Sequence, residues 1–190
     1  MIDANPWSVV AEVARVLDAL GVRYAVGGSL ASGVAGEPRS TVDADLVVEL
    51  APEHVDLLVA QLSARFYVPV EQLRRAVHDR LSVNLIDTTS ALKVDFFVAG
   101  GTPLDGEALD RRVPFTPETI AQTLYLTTPE DVLLQKLRWF RRGGEVSDRQ
   151  WRDVVGIVRV QAGRLDRTYL ARGAGLLGVT DLLERALAQE

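Results

Sequence analysis

The stretch Asp43-Ala44-Asp45-Leu46-Val47-Val48 constrains this chain more than any other. Side chains alternate across a strand, so the two aspartates share one face while Ala44 and Leu46 take the other. The pattern predicts a strand over Ala44–Glu49 with one apolar face and one face that carries two carboxylates. Carboxylates this close resist joint ionisation unless a cation neutralises them. A second segment repeats the arrangement. In Leu92–Ala99, Val94, Phe96 and Val98 point one way, while Lys93 and Asp95 point the other. If the two strands are neighbours, Asp43, Asp45 and Asp95 converge.

The surrounding periodicities put these strands in an α/β framework. Asn5-Pro6 reads as an N-cap with proline at the first helical position. Val9, Val10, Val13, Leu17 and Leu20 then recur at helical spacing until Gly21. A short strand over Arg23–Val26 leads into Gly27-Gly28, and "SLASGVAG" suits a short helix of small residues. Helices are expected over Pro52–Phe66 and Val70–Arg80. Strands are expected over Ser82–Asp87 and Leu92–Ala99, joined by a turn at Thr88-Thr89-Ser90, with shorter ones around Val113–Phe115 and Thr123–Leu126. From Thr128 the texture changes. Thr128-Pro129-Glu130-Asp131 supplies a cap, a first-position proline and first-turn acids, and opens a helix that runs to Arg142. Ser147 to Gln150 forms a capping box that opens a second helix through about Val160. Two more are expected near Asp166–Ala171 and Thr180–Ala188. The expected organisation is an α/β core over residues 1–127 and a helical part over 128–190 that closes one side of the cleft.

Composition narrows the chemistry. The 190 residues are 47% hydrophobic and 25% charged, as in ordinary globular domains. The absence of cysteine excludes disulfides and thiolate metal sites, and two histidines are too few for a histidine-rich zinc site. No apolar run approaches the roughly 20 residues of a membrane span, and no basic leader is present, so a cytoplasmic location without membrane contact is expected. The net charge of −5 is unevenly spread. Residues 132–172 hold ten bases and four acids, a local +6, against −11 elsewhere. Such a split marks either a phosphate-facing surface or a solvated arginine-rich helix face.

A hard divalent ion, Mg²⁺ or Mn²⁺, held by carboxylates and substrate phosphates, answers the aspartate pattern. Upstream, Gly27-Gly28-Ser29 stands at a strand-to-helix transition, where backbone N–H groups approach phosphate oxygens. Ser29 adds a hydroxyl, or simply caps the helix. Together these pieces fit a nucleoside triphosphate and metal-assisted in-line displacement. Lys136 rises from an apolar stripe of Val132, Leu133, Leu137 and Phe140, so it either snorkels to solvent or reaches an anion such as the triphosphate. Asp153, beside Val154 and Ile157, is either a salt-bridge partner of Arg149 or Lys136 or a catalytic group. Arg39 and Thr41 either position phosphate or shape the loop before the strand. Lys93 pairs with Asp95 at most, and Trp139 and Trp151 are expected to pack between helices. Rival motifs fail. Gly33 is followed by Val34-Ala35 rather than the lysine of a P-loop, and G-x-G-x-x-G, H-E-x-x-H and G-x-S-x-G do not occur.

Taken together, Gly28-Ser29, Asp43-x-Asp45 and the later Asp95 resemble the nucleotidyltransferase superfamily related to DNA polymerase β. Arg39–Asp45, "RSTVDAD", resembles the lead-in of its small bacterial branch. Thr128–Val158 is similar to the C-terminal motif of AbiEii-type nucleotidyltransferase toxins. The resemblance implies an α/β fold, a mixed-sheet nucleotidyltransferase core with a helical C-terminal part. It implies Mg²⁺-dependent transfer of a nucleoside monophosphate from an NTP to an acceptor. Asp43 and Asp45 would hold both metals, and Asp95 the one that activates the nucleophile. Gly28 and Ser29 would bind the β/γ-phosphates, with Arg39 and Thr41 near them. Lys136 would neutralise the leaving pyrophosphate, and Asp153 would complete the site. The expected acceptor is tRNA or another RNA laid along the arginine-rich helices, with a cognate antitoxin as partner. The alternatives are an antibiotic-type enzyme acting on a small molecule and a silent nucleotide-binding module, which need not keep the three acids together.

Overall fold

In the computed structural model, which describes residues 5–38 and 40–190, the chain opens with α1 (Pro6–Ala19), capped by the Asn5 side chain accepting from the Trp7 amide at 3.0 Å. β1 (Tyr24–Val26) follows, then α2 (Gly28–Ala35), β2 (Asp43–Val48), α3 (Pro52–Leu62), β3 (Phe66–Tyr67) and α4 (Val70–Asp79). The hairpin β4 (Ser82–Asp87) and β5 (Lys93–Val98) leads to α5 (Asp105–Arg111), β6 (Val113–Phe115) and β7 (Leu124–Leu126). Four helices end the chain: α6 (Pro129–Arg142), α7 (Asp148–Val160), α8 (Arg167–Leu177) and α9 (Thr180–Leu187).

The strands form one mixed sheet in the order β3-β4-β5-β2-β1-β7-β6. β2 runs parallel to β5 and antiparallel to β1, while β1 runs parallel to β7. On one face of β2, Ala44, Leu46 and Val48 are fully buried, with α1 against the strand. On the other face α5 covers only the far end, where Leu109 packs on Ala25, Ala99 and Val47. Asp43 and Asp45 occupy the near end of that second face and are half-buried.

Three elements depart from expectation. The helix expected to reach Phe66 stops at Leu62, because Phe66 and Tyr67 pair with β4 and the Arg65 carbonyl accepts from the Thr88 amide. Helix α5 was not foreseen. Its start is organised by Asp105, whose Oδ2 accepts from the amides of Gly100 at 3.0 Å and Thr102 at 2.9 Å. Helix α8 runs on to Leu177 rather than ending at Ala171, because Gly173 and Ala174 are buried packing positions and not helix stops.

The chain forms two compact units, Met1–Gly27 with Thr41–Leu126, and Gly28–Ser40 with Thr127–Glu190. The first holds the whole sheet with α1, α3, α4 and α5; the second is helical. Residues 28–40, grouped by the sequence reading with the α/β core, fall in the helical unit because α2 packs on α6 and α7. The approach of α2 to α7 is close. A Cβ on Gly36 would lie 2.8 Å from the Ile157 amide nitrogen, so only glycine fits there.

Candidate active site

In the sheet unit the register aligns the acids. Asp45 lies directly across from Asp95 on the parallel pair β2–β5, and Asp43 lies across from Lys93. One strand further, Asn84 of β4 lies across from Asp95. Asn84, Asp95 and Asp45 therefore form a row on one face over three strands, with Asp43 and Lys93 flanking it on the same face. On the other side of β2, the Gly27 amide donates to the Asp45 carbonyl at 2.8 Å, which ties the end of β1 to this row.

The electrostatics of the row follow from its burial. Asp95 is half-buried, and that burial raises its carboxyl above the ordinary carboxylate range. A hydrogen bond from Asn84 and the charge of Lys93 pull the other way, while the negative charge of Asp43 adds to the rise. Among the described residues no three His, Cys, Asp or Glu side chains are gathered into a ready-made metal cage. The sheet aligns the three aspartates on one face without gathering them into such a cage.

The remaining predicted residues distribute as follows. Thr41 is committed to the backbone: its hydroxyl donates to the Asp43 carbonyl at 2.9 Å and accepts from the Asp43 amide at 3.3 Å, shaping the entry to β2. Arg39 lies outside the described residues. In the helical unit, Gly28 opens α2 with φ of +54°, a left-handed conformation that favours glycine over any residue with a side chain. Ser29 follows in the first turn of α2. Lys136 does not snorkel. It is buried, and its Nζ donates to Asp153 Oδ2 at 2.7 Å across α6 and α7. Of the two tryptophans, Trp151 packs on Phe140 with ring centroids 5.3 Å apart, whereas Trp139 is 41% exposed beside the Arg142 guanidinium.

The arginine-rich helices are largely paired within their own unit. Arg141 bonds Asp181 and Glu145, and Arg167 bonds Glu190. Arg172 stacks on Tyr169 and Arg185 on Trp151. The window of 132–172 omitted Asp181 and Glu190, which do part of this pairing. Across 127–190 there are eleven bases and nine acids, so the basic excess falls to +2.

The sequence matches no family model and no curated protein. Solved structures do match. The crystal structure of an antigenic nucleotidyltransferase-like protein from Paracoccidioides brasiliensis aligns over 96% of this chain and 92% of its own, with a TM-score of 0.59 and 21% identity. The solution structure of the antibiotic-resistance factor ANT(2'')-Ia aligns over 95% and 92%, with a TM-score of 0.55 and 11% identity. The chain has the nucleotidyltransferase fold. In this nucleotidyltransferase fold, two parallel strands present Asp45 and Asp95 in register. Sequence reasoning missed Asn84 in the row. The signal was available in "SVNLID", where Asn84 alternates with the buried Val83 and Leu85 and so faces outward. Which aspartate it meets, however, depends on strand order.

Proposed function

We propose that the chain is a divalent-metal-dependent nucleotidyltransferase that moves a nucleoside monophosphate from an NTP to an acceptor hydroxyl and releases pyrophosphate. The observation that carries this reading is Asp45 standing directly across from Asp95 with Asp43 on the same face. Carboxylates so placed repel one another and call for a cation. An all-oxygen, half-buried set fits Mg²⁺ or Mn²⁺, and Asp43, Asp45 and Asp95 would hold it. When bound, such an ion polarises phosphoryl oxygens and stabilises the charge of an in-line displacement.

The chain's own groups supply the rest. Asp95, in register with Asp45, takes the proton from the acceptor hydroxyl. The backbone at Gly28 and the Ser29 hydroxyl hold phosphate oxygens at the start of α2. Lys136 keeps two N–H donors beyond the one given to Asp153 and neutralises the leaving pyrophosphate, while Asp153 holds the ammonium in place.

For the acceptor, charge favours a small cationic molecule over RNA. Residues 1–27 and 41–126, which contain the aspartates, hold nine bases and sixteen acids. An RNA acceptor, a toxin role and an antitoxin partner rest on the helical motif at 128–158, where Arg141 is engaged by Glu145 and Asp181 and Arg142 by the Trp139 ring. The test is incubation of the pure protein with each α-labelled NTP, Mg²⁺ or Mn²⁺, and either amino-sugar and polyamine acceptors or total RNA. Label on a small cationic acceptor that vanishes with Asp45→Asn is the expected result. Label on RNA instead, falling steeply with salt, would replace the acceptor assignment. Equal blanks from wild type and Asp45→Asn across all acceptors would sink the transferase reading.

A further inference from the structure

Strand β5 lies between β4 and β2, so Asp95 has Asn84 on one side and Asp45 on the other. The Asn84 side-chain amide donates through Nδ2 to Asp95 Oδ1. A carboxylate held through one oxygen from the β4 side keeps its second oxygen as a further acceptor. From this row we infer that Asn84 is a positioning residue: it clamps Asp95 and aims the remaining oxygen at the place where the aspartates share a cation. The inference rests on the carboxylate reading above.

The chemistry of the clamp suits that task. Repulsion from Asp43 favours any rotamer that swings Asp95 out of the row, and a hydrogen bond to a fixed neighbour opposes the swing. Lysine or arginine at position 84 would hold Asp95 equally well but would neutralise the charge a metal needs. A neutral amide orients the carboxylate and leaves its charge intact. Groups that orient a metal ligand in this way set affinity even though they never touch the ion. The plainer role for Asn84 is a cross-strand pair that adds only to sheet stability. The two roles separate by experiment, since a sheet pair does not alter ion affinity.

The test is Mn²⁺ binding without nucleotide, read by electron paramagnetic resonance of the free ion, on wild type, Asn84→Ala, Asn84→Val and Asp45→Asn. Asn84→Val carries no donor and favours a strand, so it guards against a loss caused by local unfolding. Both Asn84 variants are expected to bind Mn²⁺ about 10- to 100-fold more weakly. In the transfer assay their kcat should fall while KM for the NTP stays near wild type. Mn²⁺ affinity within twofold of wild type in the two Asn84 variants, with Asp45→Asn binding lost, would overturn the positioning role and leave the carboxylate reading standing. Mn²⁺ binding unchanged in Asp45→Asn would overturn that reading and this inference with it.

Discussion

Asp95 stands across from Asp45, and its burial, with the charge of Asp43 added, raises its carboxyl. A carboxyl raised in the fold costs stability once it ionises, so activity and stability should move in opposite directions at this position. Asp95→Asn is expected to abolish nucleotidyl transfer while leaving metal-free stability at neutral pH equal to wild type or higher, read as the urea midpoint without divalent ions. A midpoint that falls would mean that Asp95 holds the sheet together rather than a ligand. Asp87 behaves differently. It is fully buried, and burial alone would raise its carboxyl. Hydrogen bonds from Arg65 Nε at 3.0 Å and from Ser90 overcome that and hold it below the ordinary carboxylate range. The sign follows from linkage. A group with a depressed folded value contributes stability above its unfolded value, about 3.9, and loses it as pH falls through the lower folded value. Urea midpoints should thus drop as pH falls below about 4, and Asp87→Asn, though less stable at neutral pH, should lack this part of the acid slope.

At the scale of elements, the helical unit depends on one close approach and one buried ion pair. Gly36→Ala pushes a Cβ against the backbone of Ile157 in α7, which cannot yield as a flexible side chain would. The expected cost is about 1–3 kcal/mol, measurable by thermal or urea unfolding. Lys136 and Asp153 join α6 to α7 with side chains 10% and 8% exposed. Removing one partner strands the other charge, so Lys136→Met and Asp153→Leu should each destabilise by about 3–5 kcal/mol, and the double variant by much less than their sum. Additive losses in that cycle would show that the pair is not coupled. Phosphate binding by Lys136 is read separately, as a rise in KM for the NTP under conditions where the variant remains folded.

For the whole molecule, the distribution of charge decides which acceptor is attracted. A helical unit with a net +2 exerts little long-range pull on a polyanion. Arg138→Glu, Arg141→Glu and Arg142→Glu together should leave transfer to a small cationic acceptor within about threefold of wild type, since exposed ion pairs contribute little. RNA binding that disappears in the triple variant would restore a nucleic-acid acceptor. The sequence by itself determined which residues pair a polar face with an apolar one. Alternation marked Asp43, Asp45 and Asp95, and capping residues marked the starts of α1, α6 and α7, because both are local rules that act over a few residues. Tertiary structure alone decided what those faces meet. Strand order set Asp45 against Asp95 and Asn84 behind it, a register fixed by backbone pairing between segments far apart in the chain. Packing of α2 on α6 and α7 moved residues 28–40 out of the unit their neighbours in sequence belong to. Acids beyond the basic window, Asp181 and Glu190, met its arginines only once α9 and the residues after it were in place. Periodicity tells a side chain which way to point, but its partner is chosen by burial and hydrogen bonding across the fold.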